Sequence, residues 1–197
     1  MPPKAKFTRK EIIAAAMQIV RERGVDAVTS RELGKRLGSS ACPVFTVFTN
    51  MEEVIAALMD AVKACYKEYI ARGLKQELAF RGVGAAYIQF AIAEPKFFQL
   101  LFMTEQEQPT DIGHTLIRID ENYDEILRSV REPYGLSGED AKRLYQHLWV
   151  YTHGIATLCA TKVCTFTSTQ IQTMMTEIFS SLLKEIKKKE VQKESAK

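Results

Sequence analysis

Between positions 171 and 186 the apolar residues Ile171, Met174, Met175, Ile178, Phe179, Leu182, Leu183 and Ile186 recur at i, i+3, i+4, i+7. That spacing lines one face of an α-helix. The same period governs nearly the whole chain. Ile12, Ala16, Ile19 and Val20 form one stripe, and Val54, Ile55, Leu58, Val62, Tyr66 and Tyr69 form another. Residues 44–48 alternate weakly, but they are too few to seed a sheet. The predicted fold is therefore all-α.

Local punctuation sets the helix limits. Thr8 followed by Glu11, and Thr29 followed by Glu32, have the spacing of a capping box. Gly24 and Gly38 stand where helices stop. The spacing predicts short helices over 8–23, 29–37 and 40–46, with Pro43 tolerated only in a first turn. A longer helix over 50–71 opens at Asn50, with Glu52 and Glu53 where the helix dipole favours acids. Further helices are expected over 75–93, 95–103, 111–131, 137–162 and 167–189, with breaks at Pro109 and around Pro133 and Gly135. The expected organisation is an N-terminal three-helix helix-turn-helix domain over 1–50 and a connecting helix over about 50–71. A helical ligand-sensing and dimerisation domain over 51–190 and a flexible tail over 191–197 complete it.

Charge is unevenly shared. The net charge is +3, yet residues 1–50 carry nine Lys or Arg against four Asp or Glu, a surplus of five that leaves the remainder net negative. A positive head on a mildly acidic body suits presentation of one end to nucleic acid. Cys42, Cys65, Cys159 and Cys164 form no CxxC pair, and Cys159 and Cys164 are poorly spaced for two ligands on one helix face. All four are expected to be free thiols of a cytoplasmic protein. No phosphate-cradling glycine loop, nucleophile elbow or His/Asp/Glu set at metal-ligand spacing is present, so neither enzyme activity nor a metal or other cofactor is expected. No apolar run reaches the roughly 18 residues of a membrane helix, and no secretory signal precedes the first helix.

Three short helices joined by tight turns are the layout of a helix-turn-helix. The residues within it resemble the tetracycline-repressor family of bacterial regulators. The matching stretches are IIAAAMQIVRERG (12–24), TSRELGKRLGSS (29–40), VFTVF (44–48) and MEEV (51–54), and LWVYTHGIATL (148–158) is similar to a Trp…His-Gly segment of many members. Three positions depart from the family pattern: Phe45 replaces a Tyr, Val47 a His and Met51 a Lys, and the first and last of these remove a hydroxyl and a cation that the family aims at DNA phosphates. Residues 39–46 also carry no Arg, Lys, Asn or Gln for bidentate base pairing. Two readings stay open. In the first, DNA positioning comes from Lys4, Lys6, Arg9, Lys10, Thr29, Arg31, Lys35, Thr46 and Thr49. Ser39 and Ser40 keep the tip polar, Ala41, Cys42 and Pro43 offer apolar contacts to thymine methyls, and readout is weak or shape-based. In the second, the chain is a helical ligand-binding or scaffold protein whose specific DNA binding has weakened or been lost. Phe45 and Phe48, three apart, are expected to anchor the segment in the core, with Phe45 also a candidate DNA contact.

The resemblance implies a ligand-responsive regulator, most simply a repressor released from a pseudo-palindromic operator by a small, largely apolar or aromatic effector. It places the sensor cavity in the body, where the candidates are Tyr87, Phe90, Phe97, Leu101, Tyr123, Trp149, Thr152 and His153. It also implies a homodimer, with no membrane partner. The last two helices are its expected interface, through Leu148, Tyr151, Ile155, Leu158, Ile171, Met174, Met175, Ile178, Phe179 and Leu182.

Overall fold

A computed structural model describes residues 6–105 and 108–195, with side chains as far as Lys189. Lys4 and the last two residues of the expected tail lie outside the described residues. Among the described residues all regular structure is helical: α1 (Arg9–Arg23), α2 (Ser30–Arg36), α3 (Met51–Leu74), α4 (Ala79–Ala93), α5 (Pro95–Phe102), α6 (Ile112–Ile119), α7 (Tyr123–Tyr134), α8 (Gly138–Ala160) and α9 (Ser168–Ser195), with 3₁₀ turns at Val25–Ala27 and Cys42–Thr46. The helix expected to end at 189 runs on to Ser195.

The chain forms two compact units, one comprising Met1–Glu68 with Ala93–Glu105 and the other Tyr69–Ile92 with the chain beyond Glu105. In the first, α1 opens on a complete capping box: Thr8 Oγ1 accepts from the Glu11 amide at 3.2 Å, and the Glu11 carboxylate accepts from the Thr8 amide at 2.7 Å. This satisfies two amides that a helix start leaves without partners. Gly24, at φ 88°, ends the helix in a backbone state that side-chain-bearing residues rarely adopt. Thr29 caps α2 through the Glu32 amide. Asn50 Oδ1 accepts from the Glu53 amide at 2.9 Å ahead of α3. Ile12, Ala16, Ile19, Leu33, Val44, Phe48, Val54 and Leu58 are buried as the core of this unit, and α5 packs against α1.

The short third helix differs from expectation in kind. Residues 42–46 form a 3₁₀ turn, closed by i→i+3 bonds from the Val44 amide to Ala41 and from the Val47 amide to Val44. Pro43 has no N–H, and five residues are too few to establish an α-helical ladder around it.

The second unit corrects one boundary. The single helix expected over 111–131 is two, broken at Asp120. That residue is extended (φ −121°, ψ 103°), its carboxylate accepts from the Asn122 amide at 3.4 Å, and its carbonyl accepts from the Tyr123 amide at 3.0 Å. Asp and Asn offer the backbone local bonds that compete with helix continuation. Pro133 does not break α7 but sits in its last turn. Gly135, in the left-handed conformation, ends the helix, with the Leu136 amide donating to the Arg131 carbonyl at 3.1 Å. Ser137 then caps α8 through the Asp140 amide. Val130, Leu136, Ala141, Leu144, Leu148 and Ile186 form a buried core here, flanked by Phe80, Tyr134, Phe179 and Leu182.

Candidate nucleic-acid interface

Most arginines of the first unit are already engaged by carboxylates of that unit. Arg9 pairs with Glu53 at 2.7 Å and lies over the Phe48 ring at 4.4 Å, and Arg21 pairs with Glu94 at 2.9 Å and lies over Phe97 at 4.7 Å. Arg23 pairs with Glu32 at 2.6 Å, and Arg36 forks onto Glu22. The bond from Arg36 holds the Glu22 carboxyl below its ordinary range. The Thr49 amide, then Arg9, does the same for Glu53. Each such exposed pair contributes little stability by itself. Together they decide which cations are left to meet a ligand.

Arg31 and Lys35 are exposed and edge an open groove of about 800 Å³ with Thr29, Glu32, Ser39, Ser40 and Ala41. Lys6 Nζ donates to Ser39 Oγ at 3.1 Å, which brings the N-terminal cation to the same place. Lys10 is exposed on α1. The sequence candidates Lys6, Thr29, Arg31, Lys35, Ser39, Ser40 and Ala41 thus gather around one feature, whereas Arg9 is committed to Glu53. Cys42 and Thr49 are exposed and Pro43 is half-buried. The Thr46 hydroxyl donates to the Pro43 carbonyl at 2.7 Å, so it offers its lone pairs and not its proton.

Phe48 is buried as expected, but Phe45 is 46% exposed and is not a core anchor. In the tight 3₁₀ turn Val44 takes the inward position. The residue that sequence reasoning missed is Gly34. A Cβ there would stand 2.5 Å from the Ser40 carbonyl oxygen, and the Ser39 amide donates to the Gly34 carbonyl at 2.8 Å. The serine turn therefore rests directly on α2. The available signal was a glycine inside a helix, which costs roughly 1 kcal/mol relative to alanine and so points to a close backbone approach.

The second unit holds a different chemistry. Tyr87, 3% exposed, is hydrogen-bonded through its hydroxyl to His153 Nδ1 at 2.9 Å. Trp149 stacks on the His153 ring, with centroids 4.8 Å apart and planes 11° apart. Burial lowers the His153 pKa and raises that of Tyr87, so both groups favour their neutral forms. Thr152 is buried, donates to the Leu148 carbonyl at 2.7 Å and lies 3.6 Å from the Met175 sulfur. Tyr123 packs on Tyr145 at 5.7 Å, and Phe90 meets Tyr69 edge-on at 5.3 Å. Phe97 and Leu101 belong to the first unit. Sequence reasoning missed Tyr145 and Asp120, which are buried in the second unit and interact electrostatically.

Of the residues expected at a dimer face, Leu148 is buried in the core of its own unit and Ile155 is also buried. Tyr151, Leu158, Ile171, Met174, Met175, Ile178, Phe179 and Leu182 remain half-buried. Beside them on α8, Val150 is 56% exposed and Gly154 has open space where a Cβ would stand.

A small helical unit bearing an open, cationic, serine-lined groove, carried in one chain with a second helical unit, defines a helix-turn-helix regulator. Family models agree. One described as "Tetracyclin repressor-like, C-terminal domain" matches residues 80–183, and one described as "Bacterial regulatory proteins, tetR family" matches residues 12–58. The first alone spans more than half of the chain, and the chain belongs to the TetR family.

Solved structures share the fold. A TetR-family transcriptional regulator from Vibrio parahaemolyticus aligns with a TM-score of 0.60 at 14% identity, over 88% of this chain and 97% of its own. The fatty acid degradation regulator FadR from Bacillus halodurans aligns with a TM-score of 0.61 at 17% identity, over 92% and 97%. No curated protein sequence matches the chain. Membership makes the chain a DNA-binding regulator and not an enzyme, with DNA and a second copy of itself as partners. Among the described residues no helix is long and apolar enough to cross a membrane.

Proposed function

We propose that the chain is a repressor whose residues 1–50 read an operator and whose residues 51–190 sense a small apolar or aromatic effector and dimerise. The observation that supports the DNA reading most is the convergence of Arg31, Lys35, Lys6, Thr29, Ser39 and Ser40 on one groove, while the other arginines of the head pair with carboxylates. Cations at the groove rim and helix-end amides position the phosphate backbone, and Ala41, Cys42, Pro43 and exposed Phe45 present an apolar surface to base edges. Lys4, Lys10, Thr46 and Thr49 complete the contact set. A two-fold dimer formed through the outer faces of α8 and α9 sets two such heads roughly 34 Å, or a multiple, apart.

In the body, Tyr87, His153, Trp149 and Thr152 supply polar groups, and Phe90 and Tyr123 are further aromatic candidates for the walls. This is the mix of apolar walls and a few convergent polar atoms that holds a small ligand. Effector binding there lowers operator affinity only if the ligand prefers one of two states of the protein.

The test is fluorescence anisotropy with the chain's own upstream DNA against unrelated DNA, across a salt series. Specific binding that weakens steeply with salt supports the proposal. Equal, weak binding to both DNAs sinks it and favours the second reading, in which half-buried apolar Val47 and Met51 and the exposed Phe45 mark a head that no longer reads an operator.

A further inference from the structure

The C-terminus of α8 folds back so that the backbones of Cys159 and Cys164 approach each other. The helix ends in a reversed turn with Lys162 left-handed at φ 60°, the only non-glycine residue with positive φ among those described. The Lys162 amide donates to the Cys159 carbonyl at 3.0 Å, and the Val163 amide to the Leu158 carbonyl at 3.1 Å. These are the paired bonds of a Schellman terminus. The turn then tightens by one residue more, because the Cys164 amide also donates to the Leu158 carbonyl, at 3.3 Å. That carbonyl belongs to the peptide whose nitrogen is Cys159's own. With peptide bonds of about 1.2 and 1.3 Å between them, the amide nitrogens of Cys159 and Cys164 are at most about 6 Å apart. Fully extended, five residues would span about 17 Å.

We propose that Cys159 and Cys164 form a dithiol site that closes to an intrachain disulfide on reaction with a low-molecular-weight disulfide. Half-cystines stand with Cα atoms about 4.4–6.8 Å apart. Each Cα lies about 1.5 Å from its own amide nitrogen, so the turn holds these two Cα atoms within about 9 Å of each other, a range that includes the separation a bridge requires. Both are free and half-buried, not fully enclosed. Burial, and then Cys164 beside it, raises the Cys159 pKa, which gives Cys159 the second role in the exchange. Cys164, as thiolate, attacks one sulfur of the reagent and forms a mixed disulfide while one thiolate leaves. Cys159 then attacks the Cys164 sulfur, the bridge closes, and the second thiolate leaves. The two protons given up by the cysteines end on the two expelled thiolates. The chain is oxidised by two electrons and the reagent is reduced by two.

The full-length protein is equilibrated with oxidised glutathione, alkylated while folded and then again after denaturation, and mapped by mass spectrometry without reduction. The expected result is an intact mass lower by two hydrogens, a fall from four alkylatable thiols to two, and a single linked peptide joining Cys159 to Cys164. The Cys42→Ser/Cys65→Ser variant keeps the bridge, and either Cys159→Ser or Cys164→Ser abolishes it. The proposal is overturned if all four thiols remain alkylatable. It is equally overturned if Cys42 or Cys65 supplies a bridging sulfur, if the bridge joins two chains, or if glutathione stays on Cys164 without the second exchange. The wild-type map decides the matter even where a variant fails to fold.

Discussion

The two units spend their polar groups in opposite ways. In the first, charge lies outside and is mostly matched: Arg9, Arg21, Arg23 and Arg36 each meet a carboxylate, over a core of aliphatic and aromatic residues. In the second, polar groups are carried inward: Tyr87, Tyr145, Asp120 and Thr152 are all buried, and His153 lies between a phenol and an indole. The outer ion pairs fix which cations remain to act, so a surplus of charge in the sequence overstates what DNA meets. The inner groups cost desolvation and are retained with partners, which gives that unit recognition chemistry as well as a core.

The contrast can be broken most severely from inside. Phe90→Ala removes a fully buried ring and is expected to lower unfolding free energy by about 3–5 kcal/mol, measured by urea denaturation. A cost below about 1 kcal/mol would mean that the interior around Tyr69 is loose, with room already present. Next comes Gly34→Ala. Its new methyl meets backbone at Ser40, so a loss of about 1–3 kcal/mol is expected, together with loss of specific DNA binding. Retained operator affinity would show that the serine turn does not need its present seat on α2.

A sharper division is expected among the cations. Arg31→Gln and Lys35→Gln should each reduce the slope of log affinity against log salt by about 1. Arg36→Gln should leave that slope unchanged, because its guanidinium serves Glu22, and should shift the melting temperature little, since the pair is exposed. Equal slopes for all three variants would erase the distinction between framing and contacting cations.

The smallest effect concerns pH. The His153 pKa lies below its unfolded value of 6.5, so the unfolded chain binds a proton first as pH falls. Stability is therefore full above about 6.5 and declines on acidification through that value. His153→Gln should flatten this part of the stability profile between pH 7.5 and 5.5. An unchanged profile would assign the decline to other groups.

The legible parts were those whose physics is local. Thr8 with Glu11, Thr29 with Glu32, and Asn50 with Glu53 announce helix starts within three residues, and the structure forms each bond. The break at Asp120 was local too, but the flanking apolar periodicity masked it. Pro43 marked a first turn correctly, yet whether five residues make an α or a 3₁₀ turn, and so whether Phe45 faces in or out, depended on the surface beneath them. The aromatic cluster was nominated residue by residue without its connections, since Tyr87 and His153 are 66 positions apart. No spacing rule joins such a pair. The groove was half legible: its cations were named, but the carboxylate that commits the candidate Arg9 elsewhere lies 44 positions away.

Trp149 is the only tryptophan in the chain, and its indole lies flat against His153. The protein therefore carries its own optical probe, built into the residues proposed to receive an effector. A cation formed on His153 would press charge against the indole face and alter its emission. A ligand that parts the two rings would alter it differently, in intensity and in wavelength. Candidate effectors can thus be screened on the unlabelled protein at a single excitation wavelength, with no DNA in the cuvette and before any operator has been identified.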